Sequence, residues 1–128
     1  MGAALEATAF GVRHNLAAMA DAGAPQTRLV AVGGGTTGGL WTRIVSDVIA
    51  RPQELPAHTV GAAHGDAFLA ALATRQAIAG DISEWNPIAT VVEPDPATRS
   101  AYDEMYAQYR ELYGATADIA HSLAARQT

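Results

Sequence analysis

Between Leu29 and Trp41, the apolar run Leu29-Val30-Ala31-Val32 ends in Gly33-Gly34-Gly35-Thr36-Thr37-Gly38-Gly39, five glycines in seven residues. Glycine loses more backbone freedom on folding than any other residue, so a chain concentrates it where φ must be positive or where a ligand meets the backbone. Placed between a strand and a helix, such a loop aims unpaired amide groups of the helix N-terminus at an anion, which suits a phosphate or a nucleotide. The chain has no lysine, so a phosphate here would be held by backbone amides, hydroxyls, a metal or arginine. A ligand-free strand-to-helix turn is the other reading of the same residues.

Further residues could carry chemistry. Gly33, Gly35 and Gly38 satisfy Gly-x-Gly-x-x-Gly, and Glu54 follows Gly33 by 21 residues. That is close to where a dinucleotide-binding fold places the acid that holds a ribose, so NAD is the competing ligand. A long helix ahead of the first strand and a proline-flanked second strand oppose this reading. A Walker A loop is excluded, since no Gly-Lys-Ser/Thr follows. His14, His58, His64 and Asp66 invite a metal or acid–base role, but His64 and Asp66 are two apart and do not share a helix face. No metal site is expected, and His64 reads as a packing or surface residue. Ser46-Asp47 lacks a nearby histidine and the strained turn of a nucleophile, and Asp47 reads as a helix-surface or ribose-side residue. Tyr102, Tyr106, Tyr109 and Tyr113, spaced 4, 3 and 4, read as core packing with hydroxyls at the edge.

The 128 residues make one domain at most, 49% apolar and 16% charged, with net charge −5. Eight scattered arginines without a cluster exclude a nucleic-acid binder. With no cysteine there are no disulfides or thiolate metal sites, which fits a reducing cytoplasm. Charges interrupt each long apolar stretch, so no membrane association is expected.

Stepping along the chain, Leu5, Ala9, Val12, Leu16 and Met19 form a helical stripe that Gly23 and Pro25 stop. Leu29–Val32 reads as a buried strand. Leu40, Ile44, Val45 and Val48 begin a second helix that ends before Pro52. Residues 53–56 read as a weak second strand, and an alanine-rich third helix runs from Thr59 or Val60 to Ala79, closed by Gly80. Residues 81–87 read as a helical turn and a loop. Asp95-Pro96 caps the last helix. The alternation predicts an α/β domain whose helices pack on a short parallel sheet. Two strands make a poor sheet, so the chain is expected to be part of a larger protein with an exposed sheet edge that favours self-association.

Several segments together resemble the FGGY carbohydrate kinases, xylulokinase-like members above all. Ala4-Leu5-Glu6-Ala7-Thr8-Ala9-Phe10-Gly11 resembles the family's Ala-x-Leu-Glu-Gly-x-Ala-Phe helix. Val32-Gly33-Gly34-Gly35, Leu40-Trp41 and Ile44-Val45-Ser46-Asp47-Val48 are similar to its adenosine-site segment. Gly61-Ala62-Ala63-His64-Gly65-Asp66-Ala67 resembles Gly-Ala-Ala-Leu-Gly-Ala-Ala, and Val92-Glu93-Pro94-Asp95-Pro96 with Tyr102-Asp103 to Tyr109-Arg110 resembles the closing segment. The resemblance implies an actin-like, ribonuclease-H-like ATPase domain, of which residues 1–128 are the C-terminal portion. It implies phosphoryl transfer from MgATP to a sugar hydroxyl, with a pentulose such as xylulose as the expected sugar. Gly33, Gly34, Gly35, Thr36, Gly38 and Gly39 would line the adenosine side of the cleft. The family's catalytic aspartate, sugar site and phosphate loop precede the residues present here, and phosphoryl transfer needs these parts together. The chain alone is therefore expected to be inactive, with Mg2+ held mainly by ATP and the rest of the protein.

Departures from the family pattern are Gly38 and Gly39 where a polar residue is common, and His64 and Asp66 where an apolar residue and alanine stand. A non-catalytic reading also remains, in which the chain is an interaction module that docks a separate N-terminal polypeptide at its strand edge.

Overall fold

A computed structural model describes residues 2–126. Helix α1 (Gly2–Asp21) is followed by an extended segment, a 3-10 turn (Gly34–Thr36) and α2 (Leu40–Ile49). Strand β1 (Gln53–Pro56), α3 (Gly61–Ala73), the short α4 (Ile82–Trp85), β2 (Ile88–Val92) and α5 (Arg99–Ala124) complete the order.

Helix α1 ends where expected, with Gly23 at φ +83° and its amide donating to the Ala20 carbonyl at 3.0 Å. Phe10 of α1 is buried with Ala9 against Ile44, Val45 and Val48 of α2. The rings of Tyr102, Tyr106 and Tyr109 on α5 surround Phe10 with centroids 5.6 to 6.2 Å away. Aromatic contacts at such distances add to plain area burial. The tyrosine stripe is thus core packing for three of its four members. Tyr113 departs from the expectation: it is 70% exposed, because α5 runs on past the end of its contact with α1. Arg13 anchors the crossing, donating to Asp103 Oδ1 at 2.5 Å and to the Val48 carbonyl at 3.1 Å. Its guanidinium also sits 4.3 Å from the Tyr106 ring centroid, a cation–π contact.

The sheet differs from the expected parallel pair. Residues 29–32 make one parallel bridge, Val30 to Glu54, through Ala31 N–H to the Glu54 carbonyl and Glu54 N–H to the Leu29 carbonyl, each 2.9 Å. The regular sheet is instead antiparallel: β1 pairs with β2 from Gln53–Val92 to Pro56–Ile88, with an irregularity between Leu55 and Pro56. Residues 88–92 follow the helical turn and loop expected at 81–87, and the sequence reading assigns no strand there. Their partner strand is more than thirty residues away, and local pattern carries no record of that pairing.

Helix α3 also stops earlier than expected, at Ala73 rather than Ala79. The Thr74 hydroxyl bonds back to the Ala70 carbonyl at 3.0 Å, and Arg75 turns left-handed at φ +58°. Arg75 N–H then reaches the Leu72 carbonyl and Gln76 N–H the Ala71 carbonyl, the pairing of a Schellman end. Arginine in that conformation is uncommon, which is why Gly80 looks like the natural stop.

Candidate nucleotide-binding loop

The glycine loop begins where the extended segment leaves the bridge to β1. Gly33 sits at φ +96°, a conformation open to glycine, and its amide donates to the Thr59 carbonyl at 2.7 Å. Thr36 N–H and its hydroxyl both donate to the Gly33 carbonyl, at 3.1 and 2.7 Å. The Thr37 hydroxyl repeats this one residue later, donating to the Gly34 carbonyl at 2.8 Å. Gly39, at φ +69°, opens α2 and accepts from Arg43 N–H and the Thr42 hydroxyl. The threonines therefore turn the chain with their side chains, and Thr36 is buried in doing so.

What the loop leaves uncovered matters more. A Cβ added at Gly33, Gly34, Gly38 or Gly39 would meet nothing within 4 Å, so bare backbone faces open space there. Among the described residues, the amides of Gly34, Gly35, Gly38 and Gly39 donate to no protein acceptor. Unpaired donors at a helix start suit an anion or a polar ring edge. Gly35 differs: its Cβ would lie 2.9 Å from Trp41 Cδ1 and 3.3 Å from Nε1. It is needed as glycine because the Trp41 indole packs on its backbone.

Behind the loop lies a polar network that the sequence did not announce. Gln53 Nε2 donates to the Thr42 carbonyl and to Ser46 Oγ, both at 2.8 Å, and Ser46 Oγ donates to the Val92 carbonyl at 2.9 Å. One buried amide thus ties α2 to both strands. Asp47 corrects the surface or ribose-side reading: it is buried, and its Oδ1 accepts the Asp95 amide at 2.7 Å. The signal in the sequence was Ser46-Asp47 between the apolar residues Ile44, Val45, Val48 and Ile49, where buried polar groups are expected to find partners.

Glu54, the acid of the dinucleotide reading, is held by Arg28 at 2.6 Å, an ion pair on the strand rather than a group reaching the loop. The same pair raises Arg28 above its ordinary pKa, first through the hydrogen bond and then through the charge of Glu54. His58 and His64 stack with centroids 6.1 Å apart, and His64 meets Trp85 edge-on at 6.2 Å. Asn86 clamps the His58 peptide, accepting its amide at 2.9 Å and donating to its carbonyl at 2.8 Å. His14 lies elsewhere, 3.3 Å from the Tyr106 hydroxyl. Among the described residues no cluster of three or more His, Cys, Asp or Glu could hold a metal ion, and no helix is long and apolar enough to cross a membrane.

A helix-rich α/β chain with a glycine loop of this geometry belongs to a recognisable class. Residues 1–74 match the C-terminal domain of the FGGY family of carbohydrate kinases, and the chain belongs to that family. It is 31% identical over 113 residues to an FGGY carbohydrate kinase domain-containing protein from Danio rerio, a match spanning 87% of this chain and 21% of that protein. It is similar in structure to a xylulose kinase from Rhodospirillum rubrum, with TM-score 0.75 and 35% identity over 91% of the chain. A xyloylose kinase from Brucella ovis superimposes with TM-score 0.76 and 38% identity over 90% of the chain. In each solved kinase the matched part is 24% of the whole, so the chain spans about a quarter of these relatives.

Proposed function

We propose that this chain supplies the adenosine-binding part of an ATP-dependent sugar kinase. The observation that carries the reading is the uncovered backbone of Gly33, Gly34, Gly38 and Gly39 beside unpaired loop amides. A flat nucleoside can lie against such a surface at contact distance, where any Cβ would push it away. Gly35 and Thr36 complete the loop, the first by admitting Trp41 and the second by closing the turn. The residues present fit a nucleoside. They do not fit a magnesium site, so Mg2+ would come with the ATP phosphates and with acids from the rest of an actin-like kinase.

By analogy with the xylulose kinases, the sugar would be a pentulose, and this chain carries no residue assigned to it. Positioning by phosphate loop, metal and base is what drives phosphoryl transfer, so the 128 residues alone are inactive in this reading. The uncovered edge at Val30 and Val32, both exposed, supports pairing with a preceding kinase segment by strand addition. The lack of cysteine suits a cytoplasmic protein.

Calorimetric titration of the purified chain with MgATP, against NAD as comparison, tests the reading. ATP binding without NAD binding is the expected result, and NAD binding without ATP would overturn it. Sugar-dependent ATP turnover by the pure chain would refute its predicted inactivity.

A further inference from the structure

The pairing of β1 with β2 continues past the strands themselves. Beyond the Pro56–Ile88 pair, Ala57 N–H donates to the Pro87 carbonyl at 2.9 Å and carries the ladder one residue further. There the backbone of the second strand fails as a partner. Pro87 has no N–H to give, and the Asn86 N–H turns to the Ile82 carbonyl at 3.4 Å, closing α4. The Asn86 side chain takes over. A carboxamide offers the donor and the acceptor of a peptide group, and both are spent on one residue. His58 N–H donates to Asn86 Oδ1 at 2.9 Å, and Asn86 Nδ2 donates to the His58 carbonyl at 2.8 Å. Among the described residues, the His58 amide and carbonyl have no other protein partner.

The next residue carries the consequence. The Thr59 carbonyl accepts the Gly33 amide at 2.7 Å. The segment entering the glycine loop is thus held at two points along one line, the Val30–Glu54 bridge and the Gly33–Thr59 bond. The second point sets where the loop starts, because Thr36 N–H and the Thr36 hydroxyl both turn back to the Gly33 carbonyl. We propose that Asn86 is a positioning residue for nucleotide binding: its carboxamide fixes the His58–Thr59 peptide, that peptide fixes Gly33, and Gly33 orients the open backbone that follows. The inference rests on the nucleotide reading of the loop and adds to it a residue that touches no ligand. With Asn86 removed, the His58 peptide keeps the Ala57–Pro87 bond on one side and the stacking of its ring on His64, with centroids 6.1 Å apart. A loop that holds its competent shape for only part of the time binds its ligand more weakly in the same proportion.

Amide hydrogen exchange and calorimetric titration with MgATP test this on the 128-residue chain and its variants Asn86→Ala and Asn86→Asp. The aspartate keeps the size and the acceptor but sets an oxygen against the His58 carbonyl. In both variants protection of the Gly33 amide is expected to fall at least about fivefold, as two hydrogen bonds that hold its partner are weakened or lost. The amides of Val45 and Val48 in α2 are expected to keep their protection, and MgATP affinity to fall at least about threefold. Unchanged Gly33 protection in both variants overturns the proposal whatever ATP does. Equal loss of protection at Gly33 and in α2 would make Asn86 a general structural support, and overturns it as well. Lost protection at Gly33 with the parent's ATP affinity would show that the loop needs no such positioning. A parent that binds no MgATP defeats the nucleotide reading itself and the proposal with it, a result distinct from the other three.

Discussion

Alanine at Gly35 and at Gly34 should have opposite consequences, although the two glycines are adjacent. Neither has a positive φ, so backbone strain does not enter. At Gly35 the new methyl would stand 2.9 Å from Trp41 Cδ1, an atom near the root of a rigid ring that packs on the α1–α2 core. The ring must move as a body, and overpacking of this kind costs about 1–3 kcal/mol. Reduced freedom of the unfolded chain returns about 0.4–1 kcal/mol, which leaves a net loss centred on ~1.3 kcal/mol and reaching at most about 2.6 kcal/mol by these principles. For a domain of this size that is a fall in melting temperature of roughly 3–10 °C. At Gly34 the methyl meets nothing within 4 Å, so the melting temperature should hold or rise slightly. Only ATP binding should suffer there, because the methyl projects into the space assigned to the nucleoside. Thermal melting by circular dichroism, followed by calorimetric titration, reads both effects. Equal melting temperatures for the two variants would refute the packing argument, and unchanged ATP affinity in Gly34→Ala would refute the assignment of that surface.

Other outcomes follow from the same geometry. Gln53→Ala removes a buried donor to two acceptors and should cost about 2–3 kcal/mol in chemical denaturation, from lost hydrogen bonds and a small cavity; a loss below ~0.5 kcal/mol would show the network to be dispensable. Ala50 closes α2 at φ +52°, so Ala50→Gly should stabilise the chain by up to about 1 kcal/mol, and any destabilisation would count against that account. The Arg99 hydrogen bond first, and then that of Arg13, hold Asp103 below the usual carboxylate range. Its contribution to stability should therefore be complete above the ordinary aspartate pKa and fade as pH falls through the lowered value, an acid dependence that Asp103→Asn should blunt. Burial first, and then the Glu6 charge, raise Tyr102 above the ordinary phenol value. Its contribution should be present below about pH 10 and lost as pH rises through the raised value, and Tyr102→Phe should remove that alkaline component.

Much of the fold was written locally. The stripe from Leu5 to Met19 with its Gly23 stop, the apolar face of α2, and the Asp95 side chain that accepts the Ala97 amide at 2.9 Å all depend on neighbours within a few residues. The glycine loop was equally legible, because its composition has few uses other than a tight turn or a ligand surface. The second strand pair and the end of α3 were not. β2 is a short apolar run with a proline before it, and its strand character comes from hydrogen bonds to β1. Arg75 stops α3 in a conformation that its residue type disfavours, so surrounding contacts must override propensity.

The sequence by itself determined that a strand-like segment would run into a backbone-lined glycine turn and then a helix, since period, capping and glycine content act over short distances. Tertiary structure alone decided which glycines face open space and which faces Trp41, that Ser46 and Asp47 are buried struts, and that Glu54 belongs to Arg28. Each of these depends on groups distant in sequence meeting within hydrogen-bond or van der Waals reach, and that proximity is a property of the packed chain rather than of any window along it.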